Sequence, residues 1–391
     1  MKHRIALLTN FLPPYRLAFL RELERRCESL RIFVSTPLED GPRMVSPKSG
    51  LGIVQQRSVQ WHQTSRHTHN FTDRLAIQFP YDTIAQLREF RPDVIVSGEL
   101  GLRTLQAALY RRLVAKSRLV VWATLSEVTE QTRGQARHIL RRALLRMADA
   151  VMVNGESGAC YVERFGAPKE RVFRVPQTTD VAHFLALPAT RAEPIRRRLL
   201  YCGRLIELKG LIPFLSCLAD WAGLHPDQKV DFWIAGDGPL RSTLATYATP
   251  RNLSIKLLGH VSYDRLPEVH AQSGLLAFPT LADEWGMVVV EAMASGLPVL
   301  GSAYSQAVVE LVVDGKTGWI FRPDHPSEMK AAIHRALSEP NEELDRFRLA
   351  ARLRVKTMTP VAMANQIVAA ADFAYQRGAR LDSNPLRNGA F

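Results

Sequence analysis

Thr280-Leu281-Ala282-Asp283-Glu284-Trp285-Gly286-Met287-Val288-Val289-Val290-Glu291-Ala292-Met293-Ala294-Ser295-Gly296-Leu297-Pro298-Val299 carries more information than any other stretch of this chain. An apolar run, Leu275 to Pro279, reads as a buried strand. A loop with two acids and a glycine follows it. Then comes an apolar helix that holds Glu291 in its early turns and ends at Gly296. The first amides of a helix have no internal partner, and the helix dipole favours an anion there. Gly286 leaves room for a ligand to approach the backbone. Asp283 and Glu291 can each accept paired hydrogen bonds from vicinal hydroxyls. The layout suits a ligand with hydroxyls at both ends and phosphate between them, such as a nucleotide-sugar. The alternative is a strand followed by a capped helix, with Asp283 or Glu284 favouring its dipole.

Outward from this stretch the same grammar repeats. Short β-rich runs alternate with helical patterns from Ile5 to Val175, and again from Arg198 to Phe321. Such alternation predicts parallel sheets flanked by helices. Residues 38–72 interrupt the first series, being polar and rich in Gln, His and Ser, and read as a long loop or excursion. Leu187 to Pro194 reads as a linker. The 391 residues thus divide into an α/β domain at 1–186, a second at 195–360, and a helix with a polar tail at 361–391. Two such units in tandem predict a cleft, with ligands at the carboxyl ends of the strands.

Composition narrows the class. No apolar run reaches the ~18 residues that span a bilayer, and Ile5 to Thr9 is too short for a signal peptide. Cys27, Cys160, Cys202 and Cys217 show no CxxC pairing, as expected of reduced thiols in a cytosolic protein. The net charge of +13 is concentrated in residues 1–190, where 28 Lys and Arg face 17 Asp and Glu. An anionic membrane surface, a polyanionic acceptor or nucleic acid could answer that charge. No nucleic-acid motif accompanies it, and the aromatics are not interleaved with the basic residues, so nucleic acid is not expected as a partner. Arg133, Arg137 and Arg141 recur at helical spacing beside Arg142 and Arg146, with Ile139, Leu140, Leu144 and Leu145 between them. They predict a basic amphipathic helix facing a membrane; a solvated face over a leucine core is the alternative.

Further motifs cluster in the second half. Arg204 and Lys209 lie within Gly203 to Gly210, after that half's first strand. A planar guanidinium and a compact ammonium both suit a diphosphate. The alternative pairs Arg204 with Glu207. Gly236-Asp237-Gly238-Pro239 reads as a tight strand-to-helix turn, or as a place where a nucleotide approaches the backbone.

Together, Gly203-Arg204-Leu205, Lys209-Gly210, Gly236 to Pro239, Leu258-Gly259 and Asp283 to Pro298 resemble the donor-binding domain of retaining glycosyltransferases of family 4. Glu310, Asp314-Gly315 and Thr317-Gly318 extend the match. The resemblance implies a GT-B fold, two Rossmann-like domains facing a central cleft with a C-terminal helix crossing back to the first. It implies sugar transfer from a nucleoside diphosphate sugar to an acceptor hydroxyl, with retention and without a metal or other cofactor. Arg204 and Lys209 would bind the diphosphate, Asp283 the sugar hydroxyls and Glu291 the ribose, while Gly203, Gly236, Gly238, Glu284, Gly286, Met287 and Val288 would line the donor. Family members usually carry Glu at position 283, so Glu284 could share the sugar contact. The acceptor would be a glycan or lipid-linked glycan in surface polysaccharide or lipopolysaccharide assembly. The protein would be cytoplasmic, or peripheral at the inner face of the membrane. A GT-B epimerase and a non-catalytic nucleotide-sugar-binding protein are the rival readings.

The first half matches less closely. Asn10 to Arg16 replaces a glycine-rich loop, leaving Tyr15 and Arg16 as acceptor or cleft candidates beside a Pro-led helix start. Where relatives carry a cleft-facing histidine, Trp122 to Glu127 has none, and Thr124 and Glu127 are the substitutes. His62, His67 and His69 cluster without metal-ligand spacing.

Overall fold

The computed structural model describes residues 2–36, 49–66, 72–130 and 135–382. The chain forms two compact units: 1–177 with 360–391, and 178–359. The division falls at 177/178, ahead of the linker expected at 187–194. Val181 and Phe184 are buried with the core of the second unit, and Arg352 donates to the carbonyls of Leu185 and Leu187. These contacts draw the segment into that unit.

The first unit runs β1 Arg4–Thr9, α1 Leu17–Arg26, β2 Ser29–Val34, β3 Ile53–Gln55, β4 Ser58–Arg66, β5 Thr72–Pro80, α2 Thr83–Phe90 and β6 Val94–Gly98. It continues with α3 Leu102–Leu113, β7 Arg118–Ala123, α4 Gln135–Met147, β8 Ala150–Val153, α5 Glu156–Arg164 and β9 Val172–Arg174. Seven parallel strands lie in the order β3-β2-β1-β6-β7-β8-β9. Ile5, Leu7, Val94, Val96, Val120 and Trp122 point to one face, and Ala6, Leu8, Ile95, Leu119 and Val121 to the other. Both faces are therefore covered, as parallel sheets require.

In the second unit, α6 Val181–Leu185 precedes β10 Leu199–Cys202, α7 Leu211–Leu224, β11 Val230–Ala235, α8 Arg241–Ala245, β12 Leu253–Gly259 and α9 Leu266–Ala271. Then follow β13 Leu275–Phe278, α10 Met287–Ala294, β14 Val299–Ser302, α11 Gln306–Leu311, β15 Gly318–Phe321, α12 Pro326–Ser338 and α13 Asn341–Val355. Six parallel strands lie in the order β12-β11-β10-β13-β14-β15. The last helix, α14 Pro360–Asp382, belongs to the first unit, where Met363, Ile367 and Ala371 join the core around Leu20 and Leu23.

The polar stretch at 38–72 holds more structure than its composition suggested. Ile53–Gln55 adds an edge strand, and β4 pairs with β5 as an antiparallel hairpin. Val59 and Trp61 are exposed and Ile77 and Phe79 half-buried, so among the described side chains of this ribbon no fully buried apolar stripe of the kind that marks a strand in sequence appears. Residues 37–48 lie outside the described residues, as do the side chains of His62, His67 and His69.

Candidate functional site

In the second unit the strand order reverses between β10 and β13, the first strand and its inserted neighbour. Loops leaving such a pair diverge and open a crevice at the carboxyl ends of the strands. Lys209 follows β10, and Asp283 and Glu291 follow β13. The two loops are laced together: the amide of Leu281 donates to the carbonyl of Leu208 at 2.8 Å. This lacing brings the Lys209 ammonium onto the Asp283 carboxylate as an ion pair, with side chains only 14% and 18% exposed. The ammonium also lies 5.7 Å from the centre of the Phe278 ring. Asp283 is fixed further by accepting from the Trp285 amide at 3.2 Å and by donating its own amide to Tyr304 at 3.1 Å.

Arg204 is exposed on the same loop as Lys209, and its guanidinium meets no hydrogen-bond or ion-pair partner among the described residues. The alternative pairing with Glu207 is not formed. The loop backbone is nonetheless rigid. Leu205 donates to Asp237 at 2.9 Å and Gly203 to Ala235 at 2.9 Å. A Cβ on Gly236 would stand 1.8 Å from the Gly203 carbonyl oxygen. Gly236 and Gly238 thus act as a close-packed turn that props up Gly203 to Leu205, the structural alternative raised from sequence.

Helix α10 starts at Gly286, whose φ of 106° is left-handed, and no side chain caps the helix. A Cβ there would meet Phe278 at 2.9 Å and Ser305 at 3.0 Å. Backbone geometry and packing therefore demand this glycine whether or not a ligand approaches. Met287 is half-buried, Val288 buried and Glu284 exposed. Glu291 is 4% exposed. Its carboxylate has no hydrogen-bond or ion-pair partner among the described residues, and burial pushes its pKa up to about 7. The same charge helps raise the Cys202 thiol to about 12, behind burial as the larger cause. Tyr263 is raised for the same two reasons, while its hydroxyl bonds to Thr179. A buried acid with nothing to accept from is costly unless a ligand supplies the donors.

The first unit has its own reversal point, between β1 and β6. Arg16 donates to the Thr9 hydroxyl at 3.2 Å and lies over Trp122, 5.4 Å from its ring centre. Tyr15 and Thr124 are half-buried. Glu127 is committed to Arg164 at 3.0 Å. Sequence reasoning missed three residues at this edge. Arg103, 4% exposed, donates to Ser35 at 2.8 Å and to Glu99 at 3.2 Å, and it also bonds Asn10, whose amide donates to Glu99. Glu99 holds a left-handed φ of 83°, a strained state for a non-glycine residue. Its position, one residue past the buried run Val94–Gly98, was the available signal.

Arg141 does not face a membrane. It is 7% exposed, ion-paired to Glu130, and donates to the Tyr161 hydroxyl at 2.6 Å. The spacing explains why: 141, 144 and 145 share a helical face, and Leu144 and Leu145 are core residues. Arg137 is half-buried, Arg142 and Arg146 are exposed, and Arg133 lies outside the described residues. Arg141→Ala would remove a buried cation from Glu130 and from the Tyr161 hydroxyl, so a loss of about 1–3 kcal/mol is expected in denaturant unfolding. Arg142→Ala, on the exposed face, should change stability by less than about 0.5 kcal/mol.

Residues 189–354 match the family model "Glycosyl transferases group 1", and residues 13–178 match "Glycosyl transferase 4-like domain". An alpha-D-kanosaminyltransferase of Streptomyces kanamyceticus is 28% identical over 215 residues, 52% of this chain and 54% of that protein. The chain spans about half the length of the curated relatives it matches. Among solved structures, sucrose-phosphate synthase from Thermosynechococcus elongatus superposes with a TM-score of 0.72 at 17% identity, covering 96% of this chain and all of that one. HepE of Anabaena in complex with UDP-glucose gives 0.69 at 16% identity, covering 95% and 99%. Together these likenesses establish a two-domain fold of the GT-B type.

Proposed function

We propose, for a chain built from both domains of a GT-B glycosyltransferase, that it moves a hexose-type sugar from a nucleoside diphosphate donor to an acceptor hydroxyl with retention of configuration. One observation carries the reading: a lysine–aspartate pair, together with an arginine and a buried glutamate that have no partner among the described residues, lies on the segments leaving the reversal point of one sheet. The solved complex of HepE with UDP-glucose supports a nucleotide-sugar as the ligand class.

In this reading the diphosphate lies against the α10 amides, Lys209 and Arg204. The bond between the anomeric carbon and the phosphate oxygen breaks. The charge that develops on that oxygen meets fixed positive charge and amide dipoles, so little reorganisation is needed. The acceptor oxygen attacks from the same face, and its proton passes to the departing phosphate. Glu291 takes the ribose hydroxyls as an ionised acceptor, and Asp283, held by Lys209, takes sugar hydroxyls, with Glu284 beside it. The mechanism calls on no metal. The acceptor is a glycan or lipid-linked glycan of surface polysaccharide assembly, bound by the first unit at the edge that carries Arg16, Asn10 and Glu99. The enzyme works in the cytoplasm or against the inner face of the membrane.

A thermal-shift screen of nucleoside diphosphates and their sugars tests the reading, because a ligand of the folded state raises the melting temperature. One base should stand out, and adding its sugar and an acceptor should release the diphosphate. Indifference to every nucleotide would refute the proposal. Arg204→Ala should leave the melting temperature unchanged, since the side chain is exposed and unpartnered, yet lower turnover roughly 10²-fold. Wild-type turnover in that variant would remove Arg204 from the site.

A further inference from the structure

A second cavity, of about 760 Å³, opens in the first unit at the amino-terminal edge of its sheet. It lies where α2 and α3 end and where β6 and β7 begin, at the opposite ends of the strands from Asn10 and Glu99. Its lining holds four cations, Arg88, Arg91, Lys116 and Arg118, against one acid, Asp93. The Asp93 carboxylate is already engaged, accepting from the Arg4 amide at 2.8 Å. Arg88, Arg91 and Lys116 are exposed and form no ion pair among the described residues.

Arg118 is 8% exposed. A Cβ on Gly378 would stand 1.9 Å from its guanidinium carbon. Gly378 lies inside helix α14, where glycine costs roughly 1 kcal/mol against alanine. Gly378 thus lets the α14 backbone lie against the Arg118 guanidinium. The carbonyl ends of α2 and α3 favour cations at this edge. The rim adds a second character. Val114 lines the cavity and is 38% exposed, and Leu109 and Leu113, on helix α3 just ahead of it, are 40% and 74% exposed.

We propose that this cavity binds a phosphate ester, held by Arg88, Arg91, Lys116 and Arg118, with the ligand's apolar portion lying along Leu109, Leu113 and Val114. Guanidinium groups and a lysine converge on it as they do on phosphate oxygens elsewhere. The ester can be the headgroup of an anionic phospholipid or a soluble phosphate; the shared chemistry is the phosphate, and the apolar rim fits the lipid. The inference uses only first-unit residues and stands independently of the donor site and of sugar transfer.

The test uses the full-length protein with two probes: glycerol 1-phosphate in calorimetry, and flotation with vesicles of phosphatidylcholine alone or mixed with phosphatidylglycerol. The triple variant Arg88→Gln/Arg91→Asn/Lys116→Gln removes the exposed cations and leaves the buried one. Asparagine tolerates the left-handed backbone found at position 91. A control triple, Arg21→Gln/Arg251→Gln/Lys316→Gln, removes equal charge from exposed positions elsewhere. Binding of either probe should weaken at least about tenfold in the cavity triple and by less than about twofold in the control. Retention on vesicles alone assigns the site to a lipid; binding of the soluble ester alone assigns it to a metabolite. No binding by the wild-type protein, or equal loss in both triples, overturns the proposal.

Discussion

Lys209→Ala should lower turnover by about 10²–10³-fold or more, the scale of removing one preorganised positive group from a developing oxyanion. The ammonium is held at the reversal point by Asp283 and the Phe278 ring, a placement that the exposed Arg204 does not share. Arg204 is exposed and unanchored, and Gly210 onward is helix α7. The variant also leaves the Asp283 carboxylate without its partner in a site that is less than one-fifth exposed, at a cost of about 1–3 kcal/mol. The fold should survive that loss. Steady-state transfer and thermal melting, measured together, separate the two effects. A variant that melts within a few degrees of wild type and turns over at the wild-type rate would exclude Lys209 from the chemistry. Lys209→Arg should recover the melting temperature more fully than the rate, because the planar fork cannot occupy the position of a compact ammonium.

Glu291→Gln should make the ligand-free protein more stable at pH 8 while weakening nucleotide binding. The sign follows from burial. An unfolded glutamate titrates near 4.5 and the folded one at about 7. Between those values the folded state keeps a proton that the unfolded state has lost. Wild-type stability therefore falls as pH rises from about 4.5 to about 7 and stays at the lower level above it. The loss is on the order of 3 kcal/mol. Glutamine cannot ionise, so the variant should lose this slope and unfold at higher denaturant than wild type at pH 8. Its affinity for a nucleoside diphosphate should drop roughly tenfold to a hundredfold, the value of hydrogen bonds to a charged acceptor. Wild-type affinity should rise as pH passes through 7, when the carboxylate forms. Denaturant unfolding at pH 5 and pH 8, with calorimetric titration at both, checks every part. A variant less stable than wild type at pH 8, or one that binds nucleotide equally well, would show that Glu291 is a packing residue.

The two sheets were legible because their strands are short apolar runs between helical patterns, and burial on both faces leaves few polar residues inside them. The second-unit site was legible for a related reason. Backbone lacing between consecutive loops requires small residues at fixed points, so Gly203, Gly210, Gly236 and Gly286 mark the loops that carry Arg204, Lys209 and Asp283. What sequence could not show was that Lys209 and Asp283 pair with each other. That contact joins residues 74 positions apart and depends on the order of strands in the sheet. The first strand of the hairpin at 58–80 escaped because it is mostly polar and carries Val59 and Trp61 outward. Arg141 misled through its charge: a row of arginines suggested a surface, while the leucines at 144 and 145 already marked its face as interior. The Asn10–Glu99–Arg103 network joins loops from separate strands and gives no local pattern.

Hydrogen–deuterium exchange, with and without the nucleoside diphosphate that gives the largest thermal shift, tests the donor site most directly. Bound ligand should slow exchange in peptides covering 203–210 and 283–291, and the effect should vanish in Lys209→Ala. Protection confined to other segments, or none in these two under saturating nucleotide, would contradict a diphosphate site at the β10–β13 reversal point.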